Sequence, residues 1–534
     1  MNRRTVIKAL AATPLLAATG ARLTGEGVMN VAAAQEASPA APASLQFDRD
    51  SYTVASKTVT TDTVDIEVTY RLYAAIPYVS NPVDVAYQSL NVLEPVAIDG
   101  VAVDATNAPI LFSNSVGGYM SSPVSSDGST PGMGAAGGGL GEMPAGTPPG
   151  GDEQGVPTGS AEMVRGGQRV SNADLALASG YVVVAPGARG RENVAADGTF
   201  FGKAPAAIVD LKAAARYVHA NAGRIPGNTD WLISSGTSAG GALSALLGAS
   251  ADSDRYLPYL QEIGAASASD AMFAVASFCP ITDLDHADMA YEWMFGPQPL
   301  RDAGDTVDQD VSQALRSQFP AYLASLGLVT PDGLTSLTAE TYSDYLIATF
   351  LAPSATSYLA NLDDAGRAAY LAQNPWITWA NGAATFTLQD FQDHVGRSKH
   401  VPAFDALDLS AGENGLFGNT TTDARHFTEF SLREASGDTS ATLDADVPEK
   451  IALMNPMTFL GDEPNPARAR HWWLRVGTSD TDTSLSIVGN LAAALDAMGD
   501  DVNTRMYWDA GHGANEDAPA LMTWIAEITG YDAS

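Results

Sequence analysis

In Gly236-Thr237-Ser238-Ala239-Gly240 a serine stands between two glycines, where the apolar run Trp231-Leu232-Ile233-Ser234 gives way to small residues. A strand that turns abruptly into a helix presents such a hydroxyl on the tip of the turn, provided nothing bulky sits two residues to either side. The helix behind it aims free N–H groups and a positive dipole end at the reacting centre. At neutral pH a hydroxyl attacks poorly until a base takes its proton, so a nucleophilic serine implies a histidine. Of the seven histidines, His512 lies in Asp509-Ala510-Gly511-His512-Gly513, directly after an apolar run; Asp480, in Gly477-Thr478-Ser479-Asp480-Thr481-Asp482, follows another. Serine, then aspartate, then histidine, each after a strand, is one of the chain orders of a hydrolytic triad. The expected triad is Ser238, Asp480 and His512. A lone histidine or a glycine turn reads equally as packing; the ordered set of three does not. Acyl transfer also needs two N–H donors for the developing oxyanion. Ala239 offers one by position, and Gly117 or Gly118 the other, although a plain turn would explain those two glycines as well.

These groups need a sheet edge to stand on. Val64-Asp65-Ile66-Glu67-Val68-Thr69-Tyr70 alternates apolar and polar residues, and the pattern over 45–103 predicts early antiparallel strands. Pro109-Ile110-Leu111-Phe112 and Tyr181-Val182-Val183-Val184-Ala185 are continuous apolar runs that fit strands buried on both faces. Strands are also expected at 231–234, 272–278, 472–476 and 504–508. Ile208, Leu211, Ala215 and Val218 stripe one helix, residues 242–247 form the next, Leu485, Val488, Leu491, Leu495 and Met498 stripe another, and Leu521, Trp524, Ile525 and Ile528 the last. The alternation predicts an α/β class with a mixed, mostly parallel sheet covered on both faces. With the serine turn it resembles the α/β-hydrolase fold. Residues 285–446 interrupt the rhythm with helical patterns and aromatics, as where Val311, Leu315 and Phe319 share a face before Pro320, and predict an inserted cap or lid. Glycine, proline and serine dominate 121–159, which reads as a loop beside the mouth of the site. The expected organisation is a leader (1–34), a tail (35–44), a core in two parts (45–284 and 447–534) and the cap between them.

Arg3-Arg4, Lys8 and a short apolar run resemble a twin-arginine export leader, with a small-residue cleavage site at Ala32-Ala33-Ala34; a Sec signal or a cytoplasmic leader remains open. The run is too short to span a bilayer. Beyond leader and tail, roughly 490 residues remain, ample for a catalytic domain with an insertion. The net charge of −34, from 62 acidic and 28 basic residues spread along the chain, repels phosphate backbones and anionic lipid surfaces, which argues against nucleic-acid and membrane partners. The only cysteine, Cys279, excludes an intramolecular disulfide. Oligomeric state leaves no signal.

Several pieces resemble bacterial tannases of the lactobacillal type: Val116-Gly117-Gly118-Tyr119-Met120, Gly236-Thr237-Ser238-Ala239-Gly240-Gly241, Pro280-Ile281-Thr282-Asp283-Leu284, Pro402-Ala403-Phe404-Asp405, Glu413-Asn414-Gly415-Leu416-Phe417-Gly418, Asp480-Thr481-Asp482 and Gly511-His512-Gly513. The resemblance implies a secreted serine esterase acting on small aromatic esters of gallic acid, with no cofactor and no metal. It also implies that Lys399, Glu413 and Asp482 hold the galloyl hydroxyls, because three adjacent hydroxyls in a desolvated pocket need matched donors and acceptors. Read from the residues alone, Lys399 suits a surface, Glu413 a turn and Asp482 a helix cap. A feruloyl or chlorogenate esterase and a non-catalytic polyphenol-binding protein stay open as alternatives. His286, in Asp283-Leu284-Asp285-His286, resembles part of a metal cluster, yet carboxylates there are expected to fix the hinge of the cap.

Overall fold

Valines 182, 183 and 184 carry the logic of the sheet. Val182 and Val184 pack into one apolar core and Val183 into a second on the opposite face, so a continuous apolar run is what a doubly covered strand requires. Each fully buried side chain of this size contributes roughly 1.5–3 kcal/mol. The computed structural model describes residues 45–61, 63–125, 161–164, 168–301, 304–461 and 464–532. The leader (1–34), the tail (35–44) and the loop from 126 to 159 lie outside the described residues.

Nine strands, β1 (Thr53–Thr60), β2 (Asp65–Pro77), β3 (Ser89–Ile98), β4 (Ile110–Ser113), β5 (Val182–Pro186), β6 (Leu232–Thr237), β7 (Ala274–Phe278), β8 (His471–Gly477) and β9 (Asp501–Tyr507), form the main sheet. Their order is β1-β2-β3-β5-β4-β6-β7-β8-β9, and a two-residue strand, Val101–Ala102, pairs with β3. Pairing is antiparallel from β1 to β5 and parallel from β5 to β9. The parallel half therefore brings the carboxyl ends of β6, β7, β8 and β9 to one edge, where Ser238, Cys279, Asp480 and His512 follow. Helices α1 (Ala206–Ala220) and α2 (Ala239–Ala249) cover one face; Leu521, Met522, Trp524 and Ile525 of the last helix cover the other.

Between β7 and β8 the regular elements among the described residues are helices, beginning with α3 (Leu284–Phe295), apart from one small hairpin, Thr378–Ala380 against Ala383–Thr385. The insertion expected at 285–446 falls in this interval. One expectation fails here. Val311 and Leu315 do share a buried face of the helix Gln309–Arg316, but Phe319 opens a separate helix, Phe319–Leu326, with Pro320 in its first turn. Proline fits there because first-turn N–H groups lack partners inside the helix.

Asp283 ties the start of this interval to its later segments. At φ 56° it leads into α3, and its buried carboxylate accepts from His286 Nδ1 (2.9 Å), Asn455 Nδ2 (2.7 Å) and the Tyr322 hydroxyl. Burial would keep the His286 ring neutral, but Asp283 and Asp285 outweigh it and raise its pKa to about 10. The ring lies stacked on Tyr322 at 3.7 Å. Asp283, Asp285 and His286 offer ligand atoms within 4.8 Å of one another.

Candidate active site

Ser238 adopts φ 60° and ψ −123° between β6 and α2. A non-glycine residue in that region is strained and persists only where its surroundings over-determine it. The glycines on either side explain how the turn closes. A Cβ on Gly236 would meet the Gly240 carbonyl oxygen at 2.4 Å, and one on Gly240 would meet that of Val116 at 2.6 Å. Asn114, at the end of β4, braces the elbow from below, donating from Nδ2 to the Gly240 carbonyl (3.1 Å) and to Ser244 Oγ (2.9 Å). Ala239 is the first residue of α2, so its N–H has no acceptor within the helix. The Val116 contact brings the Gly117-Gly118 turn against the elbow; Met120 N–H closes that turn on the Gly117 carbonyl at 2.9 Å.

His512 Nδ1 lies 2.9 Å from Asp480 Oδ2, and Asp480 Oδ1 accepts the backbone N–H of Asp482 at 2.9 Å. The Asp480 carboxylate is fully buried. Burial resists charge on the imidazole, but the Asp480 carboxylate outweighs it, Asp482 adds and Lys399 subtracts, leaving the pKa raised to about 9. Cys279 joins this pair to the elbow. Its Sγ accepts the Gly513 N–H at 3.2 Å, while the preceding Phe278 carbonyl accepts the N–H of Ser238 at 2.9 Å. Among the described residues no hydrogen bond joins the Ser238 hydroxyl to the His512 ring; such contacts often tighten only once substrate is bound. Cys279, Asp480 and His512 offer ligand atoms within 4.8 Å of one another. Burial and the Asp480 charge push the thiol pKa well up.

The three residues assigned to ring recognition approach the same edge. Asp482 is not a helix cap: Ser484 caps the helix Leu485–Ala497, and an Asp482 oxygen lies 3.7 Å from His512 Nδ1. Lys399 Nζ lies 4.1 Å above the Phe404 ring and its charge acts on His512. Glu413 lies in the first turn of α4 (Gly412–Leu416), and its charge adds to the burial that raises the pKa of Tyr119, next to Gly118. Arg191, which the sequence reading missed, connects these parts. Its Nε donates to the Gly118 carbonyl at 2.9 Å, and its guanidinium lies against α4, where Cβ atoms on Gly412 and Gly415 would meet it at 3.1 and 3.2 Å. The signal for it was faint: two glycines three apart, on a helix that nothing else required to be thin. No helix among the described residues is long and apolar enough to cross a membrane.

A family profile described as BD-FAE, an α/β-hydrolase family, matches residues 167–313. No curated protein sequence matches the chain. Solved structures do. The tannase of Fusobacterium nucleatum is 34% identical, with 91% of this chain and 99% of that one covered and a TM-score of 0.74. The tannase from Lactobacillus plantarum is also 34% identical over 91% of this chain and 99% of its own, with a TM-score of 0.72. A tannin acyl hydrolase in complex with ethyl gallate is similar to the same degree, 34% identical over 91% and 98% of the two chains, with a TM-score of 0.72. An elbow serine, a histidine–aspartate pair at the same sheet edge and a helical insertion thus coincide with full-length likeness to ester hydrolases: the chain has the α/β-hydrolase fold and belongs to the tannase family.

Proposed function

We propose that this ester hydrolase cleaves galloyl esters through an acyl-enzyme. Ser238 Oγ attacks the ester carbonyl as His512 takes its proton; the tetrahedral oxyanion rests on the N–H of Ala239 and that of Gly117 or Gly118. Collapse expels the alcohol, which leaves with the proton from His512. Water, deprotonated by the same ring, then releases gallate and restores Ser238. Asp480 holds the imidazole in the orientation this requires. Lys399, Glu413 and Asp482 bond the ring hydroxyls of the acid, a role supported by the ethyl gallate held by a similar hydrolase.

The observation that carries this reading is geometric: an Asp482 oxygen lies 3.7 Å from His512 Nδ1, and the Tyr291 hydroxyl joins the backbone N–H of Lys399 to the Thr481 carbonyl beside Asp482. Reacting group and ring readers are thereby neighbours. The test is turnover of methyl gallate, methyl ferulate and methyl benzoate with product identification, for wild type and Ser238→Ala. Gallate should be the preferred acid and Ser238→Ala inactive on all three. Equal rates for wild type and Ser238→Ala end the serine mechanism; a preference for ferulate transfers the reading to a feruloyl-type esterase.

We propose also that residues 1–34 direct export by a twin-arginine route, on the strength of Arg3-Arg4 and the short apolar run. Changing both arginines to lysine should retain the enzyme inside the cell; unchanged export would sink the idea.

A further inference from the structure

Lys399 and Asp482 arrive from separate segments, and a single hydroxyl on α3 lies between those segments. Tyr291 Oη donates to the Thr481 carbonyl at 3.0 Å and accepts the backbone N–H of Lys399 at 3.1 Å and of Ser398 at 3.3 Å. One donor and two acceptor sites are all a phenol has, and all are used. Thr481 is the residue between Asp480 and Asp482. Ser398 Oγ donates to the same Thr481 carbonyl at 3.0 Å, which makes a second, shorter strut beside the first.

The tyrosine is held rigidly. Its side chain is fully buried, with the Phe295 ring at 4.9 Å and the Phe404 ring edge-on at 6.3 Å. The next residue, Glu292, forms a buried ion pair with Arg397 at 2.7 Å, and Arg397 Nε holds the Lys399 carbonyl at 2.9 Å. One turn of α3 therefore shapes the backbone that presents Lys399. On this turn of α3, Tyr291 also reaches across to the Asp480–Asp482 turn, beside the Ser398 strut.

We propose that Tyr291 is a positioning residue that sets the span between the Lys399 ammonium and the Asp482 carboxylate, and so sets selectivity for a hydroxylated acyl ring. The proposal rests on the galloyl reading above. A site that recognises hydroxyls discriminates only while its donors and acceptors sit at hydrogen-bond range, and small displacements forfeit that. The reacting pair keeps a contact that Tyr291 does not touch, His512 Nδ1 to Asp480 Oδ2; the Asp482 N–H on Asp480 shares its peptide with the Thr481 carbonyl, which Ser398 Oγ still holds when the Tyr291 hydroxyl is lost. Loss of the Tyr291 hydroxyl therefore falls on acyl groups that bear hydroxyls and spares those that lack them.

The experiment compares kcat/KM for methyl gallate and methyl benzoate in wild type, Tyr291→Phe and Ser398→Ala, with thermal unfolding of each. Tyr291→Phe should lower the gallate-to-benzoate ratio about tenfold, carried mainly by KM for gallate. Ser398→Ala should lower it in the same direction by less. An unchanged ratio, or an equal fall on both esters, overturns the proposal and leaves Tyr291 a merely structural residue. Should Tyr291→Phe not fold, the ratio in Ser398→Ala decides in the same way. A wild type that does not prefer gallate to benzoate overturns the galloyl reading and this proposal with it; a wild-type preference that survives both variants overturns this proposal alone.

Discussion

The serine elbow and the rim that carries Lys399, Glu413 and Asp482 meet at one edge but are built by different means. Around Ser238 the geometry belongs to the backbone: a positive φ, glycines that no Cβ could replace, and a helix N-terminus. The rim is a construction of side chains reaching between distant segments. Asp405 shows it best, accepting from Asn414 Nδ2 (2.7 Å), His426 Nδ1 (2.7 Å), the N–H groups of Phe427 (3.0 Å) and Thr428 (2.7 Å), and the Thr428 hydroxyl (2.8 Å). A backbone-built centre is all or nothing. A side-chain-built rim can be retuned one residue at a time, so chemistry and selectivity should separate under mutation.

The largest effect tests the first half of that contrast. Asp480→Asn keeps the shape of the His512–Asp480 pair but removes the charge that favours the imidazolium, and should lower kcat about 10⁴-fold on every ester alike. A loss confined to gallate would make Asp480 a ring reader and blur the contrast. The second half predicts the opposite pattern. Lys399→Ala should lower kcat/KM for methyl gallate about 10²-fold, since the galloyl hydroxyl assigned to the ammonium is left unpaired, while methyl benzoate is little affected. A parallel fall on both esters would mean that the rim carries chemistry too.

A subtler measurement couples the two regions. In the proposed mechanism His512 must be neutral to act as base, and its pKa stands raised to about 9 against the effect of burial, by Asp480 first and then Asp482, with Lys399 opposing. The acidic limb of kcat/KM reports that group in the free enzyme. Asp482→Asn removes a charge that stabilises the imidazolium, so the limb should move to lower pH. Lys399→Ala removes a charge that destabilises it, so the limb should move to higher pH. Shifts of the same sign, or none, would mean that the rim does not act on the reacting ring.

The same contrast governs what could be read from the residues. The elbow was legible because its determinants are local: two glycines, a serine and an apolar run. The strands of the parallel half were legible as runs buried on both faces. Asn114, Arg191 and Tyr291 were not, because their partners lie 130, 73 and 190 residues away, and nothing local marks a side chain that works at such range. Lys399 and Glu413 entered only through resemblance, since a lysine after an arginine-serine pair and a glutamate in a glycine-rich turn look like surface residues. Periodicity misled at Phe319, where apolar spacing runs on across a break between two helices. Asp482 was a plausible cap by position, but Ser484 does that work, which frees its carboxylate to face His512.

The smallest effect concerns stability and belongs to the rim alone. Asp288 accepts the N–H groups of Phe404 (2.7 Å) and Asp405 (3.0 Å), which anchors the segment under Lys399 to α3. Burial, then the charge of Asp405 and, less strongly, that of Glu292, outweigh those two N–H donors and raise its pKa to about 7. In the unfolded chain the same carboxyl ionises near pH 4, at about 3.9. The folded state thus holds a proton that the unfolded state releases between those values. The stabilisation is fully present below about pH 4, falls as pH rises, and is exhausted once Asp288 ionises in the folded chain near 7. Asp288→Asn cannot ionise, so its urea midpoint should decline less than that of wild type from pH 4 to pH 7. Parallel curves would show that Asp288 is already ionised in the fold. The elbow residues Ser238, Ala239 and Asn114 have no ionisable group in this range, so the difference between the two curves reports the rim side of the edge.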